Sequence, residues 1–324
     1  MAAEPLTGRW LKGLIVSTVA AAAAYLAVAL WAGRAQVAAA LQLVPAGTVF
    51  GMLALSTLNY GLRFVRWHYY LGKLGSRIPW RDNLRIYIGG FALTTTPGKA
   101  GEMARSLWLR PYGVPATVSL AAFLTERLQD FLAILLLSSL VVSWYGGAQW
   151  ALLSSLGLTL VAALVLQMPK LAAVRALAHR SGRLASLGRR LVEILRLARV
   201  CLTPGRFSLG FLLGLAAWSA EAFGFSWLMR SLGHPLELAV AVSVYALSML
   251  AGALSFMPGG LGGSEAAMVL LLKMLRVPLS AAVAATLLIR LATLWFAVLL
   301  GIIALLRRPA APAAAGGGAQ PDSV

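Results

Sequence analysis

Apolar residues fall in long blocks along this chain, at about 11–31, 46–66, 115–142, 148–168, 208–230 and 278–306. A run of about 18 or more apolar residues is the length of helix that crosses the hydrocarbon of a bilayer. The period-two alternation of an outward-facing barrel strand is absent. The pattern predicts an all-α polytopic membrane protein with six spans. Two further stretches, 83–110 and 236–276, each hold two short apolar pieces broken by Pro-Gly. The breaks read TTTPGKAGE at 94–102 and MPGGLGGSE at 257–265. Proline removes a backbone donor and glycine loosens a helix, so both segments should break there. Irregular backbone at membrane depth survives only against protein or a wet cavity. Both stretches are therefore expected to be re-entrant helical hairpins, with tips at Pro97, Gly98 and Gly101 and at Pro258, Gly259 and Gly262.

The two odd stretches are related to each other. Pro97-Gly98 and Pro258-Gly259 lie 161 positions apart, as do Gly101 and Gly262. Val114-Pro115 matches Val277-Pro278 at 163, and Arg127 matches Arg290 at the same offset. Upstream, Leu74-Gly75 matches Leu232-Gly233 at 158 and Pro79 matches Pro235 at 156. Ordered landmarks with small drifts favour a duplication. Repeat A is expected at about 46–142 and repeat B at about 208–306, within one membrane domain of residues 1–308. The Pro/Gly/Ala-rich tail at 309–324 reads as disordered.

Charge then sets orientation. The chain carries 28 basic and 10 acidic residues, a net +18. The basic residues cluster between apolar runs, at 63–85, in a loop at 169–207 and at Arg307 and Arg308. That placement points to topology and anionic lipid rather than nucleic acid. The positive-inside rule puts these loops and both termini in the cytoplasm, in a multi-pass inner (plasma) membrane protein. With that count the two repeats run in opposite directions. Inverted repeats with broken helices in matching places are the sequence signature of a transporter with a midplane site. In the basic loop, Leu184, Leu187, Leu191, Ile194 and Ala198 recur at helical spacing, as on a helix lying on the inner leaflet. Cys201 is the only cysteine, so an intrachain disulfide is excluded, and an inert thiol is expected.

The candidate chemistry is charge inside apolar sequence. Glu126, Arg127 and Asp130 share one side of a helix in FLTERLQDF; Glu221 and Arg290 sit mid-span. Lys99, Glu102 and Arg105 flank the first tip and Glu265 the second. Each such charge costs about 2.5–3.5 kcal/mol at the bilayer centre, so these residues should face one another or water. The plain alternative is mutual neutralisation, Arg127 with Asp130 and Arg290 with Glu265 or Glu126. The basic members could hold a lipid phosphate. The acids could receive a cationic head or carry protons, and the residues leave both open. Arg63 and Arg66 read as span-end residues that snorkel. Trp218, Trp227 and Trp295 read as lipid-facing or interfacial. Gly210 and Gly214 form a GxxxG, a weak signal of close helix packing.

Other chemistry has no support. TTTPGK lacks the leading glycine of a phosphate-binding loop, and GGSEA ends on Ala266 with no preceding strand. His68, His179 and His234 are scattered, with no metal-ligand spacing, so neither metal nor cofactor is expected. TTTPGKAGE, TERLQD, MPGGLGGSE and IRLATLW together resemble the lysylphosphatidylglycerol synthase transmembrane-domain family, over about 90–300. In the two-domain synthases of that family, the resemblance implies, the membrane part flips an aminoacylated lipid that a cytosolic domain makes. This chain ends a short tail after Arg308, which predicts a stand-alone member and leaves other polar lipids open. Stand-alone members that accompany polyprenyl- or glycolipid-handling systems point the same way.

The expectation is a non-enzymatic flippase or transporter for a phospholipid, aminoacyl-phospholipid or polyprenyl-phosphate-type lipid. Its partners are membrane lipids with anionic phosphate heads. A second copy of the chain or a lipid-synthesising enzyme stays open as a further partner. Two alternatives stand beside it. One is an intramembrane enzyme with Glu102 or Glu265 as general base. The other is an accessory subunit that scaffolds a lipid-modifying enzyme.

Overall fold

The computed structural model describes residues 39, 42–95, 103–140, 183–255 and 257–306. Among these residues every regular element is helical. The spans expected at 11–31 and 148–168, the first Pro-Gly tip and the tail at 309–324 lie outside the described residues.

The first long helix, α1 (Ala46–Lys73), has 28 residues. It runs past the end of its apolar window because Trp67, His68, Tyr69 and Tyr70 continue it with amphipathic side chains. It leads into α2 (Trp80–Gly89) and a 3-10 turn at Gly90–Leu93. After a short α3 (Arg105–Trp108) comes α4 (Ala116–Ser139). The basic loop folds in part as α5 (Arg183–Cys201). The order then recurs: α6 (Pro204–Ser231), α7 (Leu238–Leu254), a 3-10 turn at Pro258–Gly260, and α8 (Gly263–Met274). Last come α9 (Leu279–Arg290), a π-turn at Leu291–Trp295, and α10 (Phe296–Leu306).

The recurrence is metric. Helices α1 and α6 begin and end 158 positions apart. Each stops on Leu-Gly, with Gly75 at φ +84° and Gly233 at φ +78°, a left-handed conformation that glycine adopts without penalty. The capping hydrogen bonds correspond: Ser76 N to Leu71 O at 2.9 Å, and His234 N to Met229 O at 3.0 Å. Helices α2 and α7 also start 158 apart, so Pro79 corresponds to Glu237. The Pro79–Pro235 match at 156 is therefore not a structural equivalence. Gly113 and Arg276, 163 apart, are both left-handed and precede the Val-Pro that starts α4 and α9.

Helices α1 and α6 pack antiparallel along their length. Thr48 Oγ1 meets Ser231 Oγ at 2.8 Å, Asn59 Nδ2 donates to Ala217 O at 2.9 Å, and Tyr70 OH donates to Arg206 O at 3.1 Å. Gly210 and Gly214 make the approach possible. A methyl at either would meet the Tyr70 hydroxyl or the Arg66 guanidinium. The long helices then exchange partners. Helix α4 packs on α7, and α10 packs on α2 and the turn at Gly90–Leu93.

Two apolar cores result. One gathers Met52, Ala133, Ile134 and Leu137 with α6 to α9; the other gathers Tyr60 to Leu71 with α2 and the start of α4. The charged stretch Glu126–Asp130 lies on α4 between the parts that enter each core. By length and composition two helices, Pro204–Ser231 and Leu279–Leu306, are long and apolar enough to cross a membrane. Helices α1 and α4 have the length, at 28 and 24 residues, but interrupt their apolar runs with charge. Helix α5 packs on α4, burying Ala185, Val192, Ala198 and Cys201 and leaving Leu187 and Leu191 exposed.

Candidate functional site

A chamber of about 320 Å³ opens where the two cores meet. Its wall draws on both element series: Arg63 from α1, Arg127 and Asp130 from α4, Glu221 from α6, Arg290 at the end of α9. The second Pro-Gly turn adds Gly259 and Gly260, and Thr94 joins them from the residue after the 3-10 turn at Gly90–Leu93. A methyl on Gly259 would stand 3.5 Å from Thr95 Cα, in ordinary van der Waals contact, so space alone does not demand glycine there. The Gly259 φ of +64° is one that side chains with a Cβ rarely adopt.

Asp130 is the hub of the first charged cluster. Its Oδ1 pairs with Arg66 Nη2 at 2.6 Å. Its Oδ2 pairs with Arg127 Nη2 at 2.8 Å and Arg63 Nη2 at 3.3 Å. Arg66 is fully buried, and its Nε lies 3.5 Å from Glu126 Oε1. Glu126 is equally buried, and neither of its oxygens accepts a hydrogen bond. Arg63 and Arg66 are thus interior residues rather than snorkelling ones, because α1 continues seven residues beyond Arg66. The Arg63 guanidinium also sits 5.7 Å from the Trp218 ring centroid. Trp218 is buried and lines the chamber, which corrects its lipid-facing reading. Trp227 is 40% exposed.

The second cluster is built on Arg290. Its Nε pairs with Glu265 Oε1 at 2.6 Å, and its Nη2 donates to the Gly259 carbonyl at 3.0 Å. Glu265 Oε2 accepts from the Gly262 N–H at 2.6 Å and from Ser264 Oγ at 3.1 Å. Glu265 therefore caps the start of α8 and ties it to Arg290, and through Arg290 to the Pro-Gly turn. The π-turn follows Arg290 directly, and the Tyr60 hydroxyl donates to its Thr293 carbonyl. Glu221 accepts from the Tyr245 hydroxyl at 2.7 Å.

Of the residues singled out by sequence, Arg127, Asp130, Glu221 and Arg290 meet at the chamber, Glu265 stands one side chain behind it on Arg290, and Glu126 stands on Arg66, which is not part of the wall. The expected neutralising pairs form, with Glu126 on Arg66 rather than Arg290. Arg105 lies elsewhere. It is buried among Trp67, Tyr87 and Phe91, with its guanidinium 4.2 Å from the Tyr87 ring centroid. Lys99 and Glu102, with the tip residues Pro97, Gly98 and Gly101, lie outside the described residues. Sequence reasoning missed Arg63, Arg66, Tyr60 and Tyr245 as site residues. Tyr60, Arg63 and Trp67 recur at i, i+3 and i+7, a spacing that could have flagged the first two. No group of three or more metal-ligating side chains occurs among the described residues.

The family model described as the lysylphosphatidylglycerol synthase TM region matches residues 10–301. No curated protein matches the chain.

Proposed function

The chain belongs to the lysylphosphatidylglycerol synthase TM region family, a membrane domain linked to lipid-related functions, and from that premise we propose that it carries a polar-headed lipid between leaflets. The observation that supports this most is the chamber itself. A cavity of about 320 Å³ lined by three arginines and two carboxylates lies between two helix series of matching length and caps. So many costly charges at one junction rarely serve packing alone. Its volume lies at the lower end of the roughly 300–1,000 Å³ of small-molecule sites, which suits a head group without its acyl chains.

In this reading the two series are inverted repeats. The antiparallel α1–α6 pair supports opposite directions, and the broken segment α7–turn–α8 acts as a re-entrant hairpin. The protein is then a multi-pass protein of the inner membrane with cytoplasmic basic loops. Rocking of one repeat against the other opens the chamber to each side in turn, while the acyl chains stay in lipid. The lipid leaves covalently unchanged. Arg127 and Arg290 hold the phosphate, and Asp130 and Glu265 hold those arginines in place.

Reconstitution tests this. Vesicles containing the protein should move a head-labelled lipid across the bilayer faster than protein-free vesicles, with the lipid mass unchanged. A mass-shifted product would instead identify an intramembrane enzyme. Equal movement in both vesicle sets would refute transport.

A further inference from the structure

The chamber's balance of donors and acceptors narrows the head group. Each carboxylate around it is already engaged. Asp130 takes guanidinium groups on both oxygens, at 2.6 Å on one and 2.8 and 3.3 Å on the other. Glu221 takes the Tyr245 hydroxyl at 2.7 Å. Glu265 takes Arg290, a backbone N–H and a serine hydroxyl, and it stands behind the wall rather than in it. An ammonium at Asp130 or Glu265 would have to displace one of these donors, leaving a buried guanidinium or hydroxyl unpaired, and at Glu221 it would enter a wall that carries three arginines against two carboxylates.

Donors are in the opposite condition. Arg290 commits Nε to Glu265 and Nη2 to the Gly259 carbonyl. Its Nη1 faces the Met249 sulfur at 3.8 Å. A thioether is a weak acceptor, so that Nη1 is poorly used on a wall residue of the chamber. Arg127 brings a five-donor fork to the same chamber, with one ion pair to Asp130 and 21% of its side chain exposed. A phosphate supplies the acceptors that these two arginines lack, and arginine forks match phosphate oxygens bidentately.

Resting on the translocation reading, we propose that the chamber selects an anionic phosphate head group bearing no ammonium, with the phosphate on Arg290 Nη1 and Arg127. Zwitterionic and aminoacylated phospholipids are then poor ligands.

Native mass spectrometry of the purified full chain tests this with four probes: phosphatidylglycerol, phosphatidylethanolamine, lysylphosphatidylglycerol and inorganic phosphate. Phosphatidylglycerol should be retained at least about tenfold more tightly than either amine-bearing lipid, the worth of roughly one charged hydrogen bond. Equal or tighter retention of an amine-bearing lipid overturns the proposal. So does inorganic phosphate that displaces phosphatidylglycerol at equal concentration, which would mark a free-anion site. Met249→Glu should abolish the preference by giving Arg290 Nη1 an internal acceptor, and Met249→Leu should keep it. A preference untouched by Met249→Glu counts against the assigned site. Vesicle translocation is scored separately. Selective binding without movement refutes transport and leaves the head-group assignment standing; movement of amine-bearing lipids does the reverse.

Discussion

Asn59 donates through Nδ2 to the carbonyl of Ala217 at 2.9 Å, and the two residues are 158 positions apart. That separation is the offset that relates both ends of α1 to both ends of α6. Residues at the same place in the two helices therefore touch each other at the middle of an antiparallel pair, the contact that the proposed inverted repeat requires. Asn59 is fully buried at that crossing.

Asn59→Ala should loosen the crossing without redirecting the fold. Side-chain hydrogen bonds between membrane helices average about 0.6 kcal/mol and reach about 1.7 kcal/mol. A loss of about 1 kcal/mol is expected, read as a lowered midpoint of denaturant unfolding in detergent micelles.

Asp130 and Glu126 should separate sharply. Asp130→Asn takes the shared acceptor from three guanidinium groups, one of them fully buried. Breaking a buried pair in this way costs about 3–5 kcal/mol. Glu126→Gln should cost clearly less, because its oxygens accept no hydrogen bond and Arg66 keeps Asp130. Thermal unfolding of the two variants side by side checks the order.

Gly210→Ala should strain the α1–α6 contact. The added methyl would fall on the Tyr70 hydroxyl, and Tyr70 has no exposed surface into which to retreat. Overpacking of this kind costs about 1–3 kcal/mol. Tyr70→Phe in the same chain should restore part of the loss, which a double-mutant cycle would measure.

Cys201, on α5, lets the fold be read by thiol chemistry. Burial pushes its thiol up to about 12, against about 8.5 for a free cysteine. The folded state therefore keeps the proton between those values while the unfolded state releases it. The contribution to stability is complete below about pH 8.5 and is lost as pH rises toward 12. Maleimide labelling at pH 7.4 should be at least about a hundredfold slower in the folded protein than after denaturation.

The legible part of the site was its cost. Arg127, Asp130, Glu221 and Arg290 stand out because a charge inside an apolar run needs a reason. The second Pro-Gly break and the Leu-Gly caps were legible for the same kind of reason, since few backbones tolerate them. Arg63 and Arg66 were misread because their helix outlasts its apolar window, and the residues that extend it look interfacial. Trp218 and Tyr245 gave no sign, because an aromatic side chain reads alike in a core, at a lipid face or at a polar cavity. The Pro79–Pro235 pairing misled for want of geometry: only the helix starts show that Pro79 stands opposite Glu237.

The most direct test of the head-group chamber is a density map of the protein in nanodiscs rich in phosphatidylglycerol. A lipid phosphate within hydrogen-bond reach of Arg127 and Arg290, with its acyl chains running out to the bilayer, is the predicted result. Ordered lipids on the outer surface around a chamber that holds only water would contradict it.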